Sequence, residues 1–207
     1  MKQIRPALVL TLFFVVVTGL VFPVVVWAAG RVVFSDKANG SLVRDARGNV
    51  VGSALLGQTF TKPEYFHPRP SAAGSGYDAA NSSGTNLGPT SDRLVNGIKD
   101  DPATQDVDET YLGFTELAKA YRKENGLSPD AVIPADAATR SASGLDPDIS
   151  PANAALQIAR VARARNVEPA RVRQLVAAHT EARTLGLFGE PRVNVLLVNL
   201  ALDAREK

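Results

Sequence analysis

The sequence contains no cysteine. That absence removes disulfides, thiolate zinc sites, iron–sulfur clusters and cysteine nucleophiles together. Histidine is scarce, with only His67 and His179 available as general bases or imidazole ligands. Aromatic residues make up 6% of the chain, too few for a base-stacking surface. Charge of either sign is not in excess: 23 basic residues face 21 acidic ones, a formal net charge of +2, and Lys2 with Arg5 accounts for that difference. No basic face is implied, and a nucleic-acid partner is not expected. The chain also lacks the glycine-rich phosphate loop G-x-x-x-x-G-K, the dinucleotide fingerprint G-x-G-x-x-G and the nucleophile elbow G-x-S-x-G.

What the chain does have is one long apolar run. Ala7 to Ala29 carries no charge over 23 residues. At about 1.5 Å per residue, such a helix crosses a hydrocarbon core of roughly 30 Å. Gly19 and Pro23 sit inside it, and Pro23 is expected to bend its last third. Trp27 falls where an indole favours the membrane interface. Lys2 and Arg5 precede the run, so the positive-inside rule predicts a cytoplasmic N-terminus and an extracytoplasmic domain from Arg31 onward. A cleaved signal peptide is the rival reading, because Val26-Trp27-Ala28 has the form of a cleavage site. Length favours a retained anchor, since secretory apolar regions span about 7–15 residues.

The expected fold class is α+β: a single N-terminal transmembrane helix (residues 1–30 with its short cytoplasmic start) followed by one mixed, helix-rich extracytoplasmic domain (31–207). Arg31 to Gly48 reads as a connecting stretch, and Val50 to Phe60 as a strand region interrupted by Gly52 and Gly57. Thr61 to Pro89 is a long loop rich in Gly, Ser, Pro and Asn, with aromatics and Arg69 embedded in it, which favours an ordered, functional loop. Asp100 to Asp108 looks like a surface insertion. Phe114, Leu117, Ala118 and Tyr121 have helical spacing, and Gly126 is a stop. Ser150 followed by Pro151 marks a helix start, with the helix running to about Arg165. A further helix begins near Pro169, places Val172, Leu175, Val176 and His179 on one face, and ends near Gly186. Pro191 opens a last segment, read as a helix by its length although its valines allow a strand.

Candidate chemistry is sparse. Asp146, Asp148, His179, Glu181 and Glu190 are of the right type for a hard-cation site. Carboxylates beside Pro147 also suit the N-terminus of the next helix, and His179 continues an apolar stripe; these structural roles are the stronger readings. Arg69, between Pro68 and Pro70, is poised either to clamp a carboxylate or to staple its own loop. Asn86 and Gly88 suit turns. Asp36-Lys37-Ala38-Asn39-Gly40-Ser41 has a partial likeness to the phosphorylation motif of P-type ATPases, but the threonine after lysine is missing. No nucleophile–base–orienter set emerges.

Taken in order behind one membrane helix, several segments resemble the C subunit of the Kdp potassium-transporting P-type ATPase. They are Gly52-Ser53-Ala54-Leu55-Leu56-Gly57-Gln58, Tyr65-Phe66 with Arg69-Pro70-Ser71-Ala72, and Ser83-Gly84-Thr85-Asn86-Leu87-Gly88-Pro89. Then come Ser143-Gly144-Leu145-Asp146-Pro147-Asp148-Ile149-Ser150-Pro151, Gln157, Arg160-Val161-Ala162, His179-Thr180-Glu181 and Gly189-Glu190-Pro191-Arg192-Val193-Asn194-Val195-Leu196. Two places depart from the family pattern: Ser82-Ser83-Gly84-Thr85-Asn86 stands for Ser-Gly-Gly-Ser-Asn, and Asp148 stands for a histidine. The resemblance implies a non-catalytic accessory subunit in the bacterial inner membrane. It also implies three partners: a channel-like A subunit, an ATP-hydrolysing B subunit and a small F subunit. ATP and potassium are then handled by the complex, with no cofactor bound directly by this chain, which acts as a chaperone-like partner promoting ATP binding by the B subunit. The residues singled out for partner contact or structure are Tyr65, Phe66, Arg69, Ser71, Asn86, Gly88, Asp146, His179, Glu181, Glu190, Arg192 and Asn194. The alternative is a membrane-tethered extracytoplasmic enzyme or solute-binding module.

Overall fold

The structure is a computed structural model that describes residues 3–45, 47–98 and 111–204. Lys2 and the Asp100 to Asp108 stretch lie outside the described residues. The chain opens with one apolar helix spanning Ile4–Val33, built from α1 (Ile4–Val16), a π-helical turn (Val17–Val21) and α2 (Phe22–Val33). It is longer than the charge-free run, taking in Arg5 at one end and Arg31 at the other. No residue of α1 or α2 is buried against the rest of the chain. Pro23 has no N–H, so it cannot join the α-ladder, and its ring crowds the preceding turn. The π turn ends two residues before it and absorbs that conflict by widening the ladder.

The stretch expected to be a connector is more structured than its turn residues suggest. A short helix, α3 (Ser35–Ala38), leads to β1 (Leu42–Arg44), which pairs antiparallel with β2 (Val50–Ser53) in a bulged hairpin. Asp45 builds the turn, its carboxylate accepting from the backbone N–H groups of Arg47 and Asn49. After the long loop come α4 (Asp92–Asn96) and α5 (Phe114–Glu124). Gly126 stops α5 as expected, at φ +66°, with Leu127 N–H donating to the Arg122 carbonyl at 2.8 Å.

The core lies between a three-stranded antiparallel sheet and three helices. The sheet has order β3–β5–β4, from β3 (Asp148–Ile149), β4 (Thr180–Glu181) and β5 (Arg192–Asn194). The helices are α6 (Pro151–Ala164), α7 (Pro169–Ala178) and α8 (Val195–Ala204). Ile149 and Val193 from the sheet meet Ile158 and Val161 of α6, Val172 and Leu175 of α7, and Val195, Val198 and Leu202 of α8. Phe66, from the long loop, is fully buried in the same cluster. Each such side chain contributes about 1.5–3 kcal/mol on burial, which makes this the stable centre of the domain.

Two boundaries differ from the sequence reading. The helix starting at Pro169 ends at Ala178, and His179 caps it rather than lying within it. The segment after Pro191 divides: Arg192–Asn194 is a strand, and α8 begins at Val195. Asn194 makes the switch, its side-chain Oδ1 accepting from Leu197 N–H at 3.1 Å in the manner of an N-cap.

Candidate functional site

The long loop crosses the domain as a strap. Pro63, Pro68 and Pro70 remove three backbone donors and bar it from a regular ladder. Its remaining peptide groups still need partners once buried. Side chains supply them. Arg160 Nη1 donates to the carbonyls of Pro63 (2.8 Å) and Tyr65 (2.9 Å), and Arg165 Nε donates to that of Glu64 (2.7 Å). Asn199 accepts from Phe66 N–H at 2.8 Å and donates back to Phe66 O at 3.0 Å. Gln157 does the same for His67, at 2.7 and 3.0 Å. Two amide side chains thus act as surrogate strand partners.

The network continues inward. Gln157 Nε2 also donates to Asn153 Oδ1, which accepts from Tyr121 OH at 2.8 Å. Arg160 reaches Asn125 Oδ1 (3.0 Å) and Gln157 Oε1 (2.7 Å). Burial works against the Arg160 charge, while Glu124 favours it. The His67 ring bridges two elements, with Nδ1 at 2.5 Å from Glu124 Oε1 of α5 and Nε2 at 2.9 Å from Lys62 O. That hydrogen bond with His67 is the leading cause that holds the Glu124 carboxyl below its ordinary value. Burial pushes the Tyr77 and Tyr121 hydroxyls well above theirs, so both serve as neutral donors. Tyr77 OH donates to Arg69 O at 2.8 Å.

The residues singled out from sequence fall into two linked groups. Tyr65, Phe66, Arg69, Ser71 and Asp146 gather around the strap. Arg69 is an internal staple: Nη1 meets Asp146 Oδ2 at 2.8 Å, and Nε and Nη2 approach the carbonyls of Thr139 and Arg140 at 3.4 Å. Ser71 Oγ donates to Gly144 O at 2.6 Å and accepts from the N–H groups of Ala73 and Tyr77. Gly144 sits at φ +67°, and a Cβ there would lie 2.6 Å from Ser83 O, so only glycine permits this approach of the two loops. Tyr65 OH reaches Asp203, and the Arg165 guanidinium lies over its ring. Asn86 takes a left-handed φ of +54°, as its turn role required, whereas Gly88 does not need one.

The second group lies along the sheet. Arg192 binds Glu181 Oε2 at 2.6 Å and Asp148 Oδ2 at 3.2 Å. Asp148 is pushed upward, first by burial and then by Asp146. Asn194 ties the sheet to the hairpin through Ala54 O at 2.9 Å. Glu190 pairs with Arg183 at 2.7 Å. His179 Nδ1 is 2.9 Å from Leu175 O, within its own helix end.

The hard-cation site considered from sequence does not form. Among the described residues no group of three or more His, Asp or Glu side chains converges. Asp146, Asp148, Glu181 and Glu190 each face an arginine instead, which satisfies the carboxylates without a metal. Nor do Asp146 and Asp148 cap α6. Ser150 does so through Asn153 N–H (3.1 Å), supported by Asp136, whose carboxylate accepts from Ser150 N–H at 2.7 Å. Asp136, Asn153, Gln157, Arg160 and Asn199 are the residues that sequence reasoning passed over as organisers. A signal existed for α6: Asn153, Gln157 and Arg160 fall at i, i+4 and i+7 beside the apolar positions Ala154, Ile158 and Val161.

These features define a class: an α+β domain carried behind one helix long enough to cross a membrane, with its polar candidates engaged in internal staples. The comparisons name the particular family. The profile of the family described as "KdpC: K+-transporting ATPase, c chain" matches residues 4–204, and the chain belongs to that family. A protein of Mycobacterium tuberculosis (strain ATCC 25618 / H37Rv) called "Potassium-transporting ATPase KdpC subunit" is 50% identical over 202 residues, covering 98% of each chain. One of the same name from Caulobacter vibrioides (strain NA1000 / CB15N) is 51% identical over 205 residues, covering 99% of this chain and 94% of that one.

Proposed function

We propose that this chain is a non-catalytic accessory subunit of an ATP-driven, high-affinity potassium uptake complex. One observation carries the reading: the family match runs from residue 4 to residue 204, taking in the apolar helix, the strap and the sheet together. The internal engagement of the candidate side chains supports it. His179 and Glu181, the pair that an enzyme reading would use, are tied to Leu175 O and Arg192.

In this reading the apolar helix is a single-pass anchor in the bacterial inner membrane, its N-terminus cytoplasmic and its domain (31–207) outside. The partners are a channel-like A subunit, an ATP-hydrolysing B subunit and a small F subunit. A domain outside the membrane cannot touch a cytoplasmic nucleotide. Its chaperone-like effect on ATP binding therefore acts through assembly, with the anchor helix packing against neighbours and the domain seated over the outer mouth of the A subunit. Assaying the purified complex with and without this chain tests it: omission should raise the ATP concentration needed for half-maximal hydrolysis while the B subunit stays folded. An unchanged ATP dependence would remove the chaperone-like role.

A further inference from the structure

The stretch from Arg31 to Gly57 connects the apolar helix to the domain, and it is tied at each junction. α2 ends where Phe34 leaves the helical region at φ −128°, and α3 starts at the next residue. Phe34 N–H donates back to Gly30 O at 2.9 Å, and Ala38 N–H donates to Phe34 O at 2.8 Å, so hydrogen bonding continues through the kink. Arg31 Nη1 donates to Asn39 Oδ1 and braces the last turn of α2 against the end of α3. The same guanidinium lies 5.7 Å from the centre of the Trp27 ring. Gly40 and Ser41, at φ +95° and +49°, then turn the chain into β1. Ser41 N–H donates to Asp36 O at 2.9 Å, Ser53 Oγ to Gly40 O at 2.7 Å, and Ala54 N–H to Ser41 O at 3.0 Å. These bonds tie α3 to the start of β1, and that start to the end of β2.

The hairpin is in turn held on the core. Asn194 Nδ2 donates to Ala54 O at 2.9 Å, and Gly57 N–H donates to Leu145 O at 2.8 Å. Gln58 Nε2 donates to Val51 O at 2.8 Å, inside the same segment. The backbone approach is close: a Cβ at Gly52 would lie 2.9 Å from Leu196 Cδ2 of α8. A free tether has the opposite character. Flexible linkers leave their peptide groups to water and let their ends wander over about 5–6 Å × √n for n residues. Local motion concentrates where contacts and backbone hydrogen bonds are few. Here each junction bonds back to the element before it, and the last one bonds to β5 and to the loop ahead of β3.

We propose that Arg31 to Gly57 is a rigid joint that makes the apolar helix and the domain move as one body, so that a shift of the helix among its neighbours turns the domain with it. The joint stands on the chain alone, whereas the transmission rests on the accessory-subunit reading above. The absence of cysteine lets two labels be placed without background. Spin labels at Val25→Cys in α2 and Gln174→Cys in α7, both exposed positions, report the helix-to-domain distance in the full chain in lipid nanodiscs. The expected result is one narrow distance distribution, broadened at least about twofold by a Gly-Ser-Gly-Ser insertion between Asn39 and Gly40. A parent distribution that is broad, or as wide as that of the insertion variant, overturns the joint. In the purified complex the inserted chain should keep its partners and yet raise the ATP concentration needed for half-maximal hydrolysis, as omission of the chain does. An unchanged ATP dependence with the insertion, where omission does raise it, overturns the transmission. If omission itself changes nothing, the chaperone-like reading fails and the transmission falls with it, while the distance distribution still judges the joint.

Discussion

The helix Ile4–Val33 and the domain behind it solve the same problem in opposite directions. In the helix no side chain is buried and the apolar groups face outward, while the backbone is satisfied within the segment. In the domain, Gln157 and Asn199 are almost wholly buried, and their work is to satisfy a backbone that proline keeps out of a ladder. The helix needs a solvent without hydrogen bonds. The strap needs side chains that replace both solvent and sheet. Sequence hydropathy detects the first arrangement directly and is blind to the second, because a buried glutamine scores like an exposed one.

That contrast can be broken most severely in the helix. Val16→Asp with Leu20→Asp should cost about 5–7 kcal/mol of insertion at the helix centre and move the chain from the membrane fraction to the soluble or degraded fraction, as fractionation would read. In the domain, Arg160→Ala should be the most damaging staple variant. It leaves Pro63 O, Tyr65 O, Asn125 Oδ1 and Gln157 Oε1 without this donor, a loss of about 3–5 kcal/mol in urea unfolding of the full chain in detergent. A loss under about 1 kcal/mol would mean that water replaces the guanidinium, and that the strap is not held as described.

Arg69→Ala removes a partly buried staple and should cost about 1–2 kcal/mol. It should also weaken complex recovery, with Arg69→Lys restoring part of both. Unchanged assembly, stability and potassium uptake in Arg69→Ala would dissociate the strap from function. The smallest effect is acid sensitivity at the α5 latch. Glu124 is held below its ordinary value of 4.5, chiefly by its hydrogen bond with His67. Its contribution to stability is therefore present above about pH 4.5 and lost as pH falls through the depressed folded value. Glu124→Gln should flatten that limb of the stability curve and leave the neutral region nearly parallel to the parent, as a series of thermal melts would show.

Much of the architecture was legible because it rests on strong local signals. The uncharged run located the long helix, Ser150-Pro151 located the start of α6, and Gly126 located the end of α5. The boundaries that failed depend on tertiary pairing. Arg192–Asn194 is a strand because Asp148–Ile149 and Thr180–Glu181 lie on either side of it, and no window of sequence contains that information. His179 ends α7 for the same reason, since β4 begins directly after it. Among the site residues, Arg69 was legible through its flanking prolines, and its partner was not. The polar stripe Asn153, Gln157, Arg160 was visible at helical spacing, but its role was not, since the strap groups that Gln157 and Arg160 bind lie 90 or more residues away in sequence.

The central claim is that the domain is built to hold a shape for partners rather than to carry out a reaction. Affinity purification of the tagged full-length chain from membranes in mild detergent, with its partners quantified by mass spectrometry, tests it most directly. The account predicts recovery of an ATP-hydrolysing P-type subunit and a channel-like potassium subunit in fixed proportion to the chain. Recovery of the chain alone, stable and monodisperse, would contradict it.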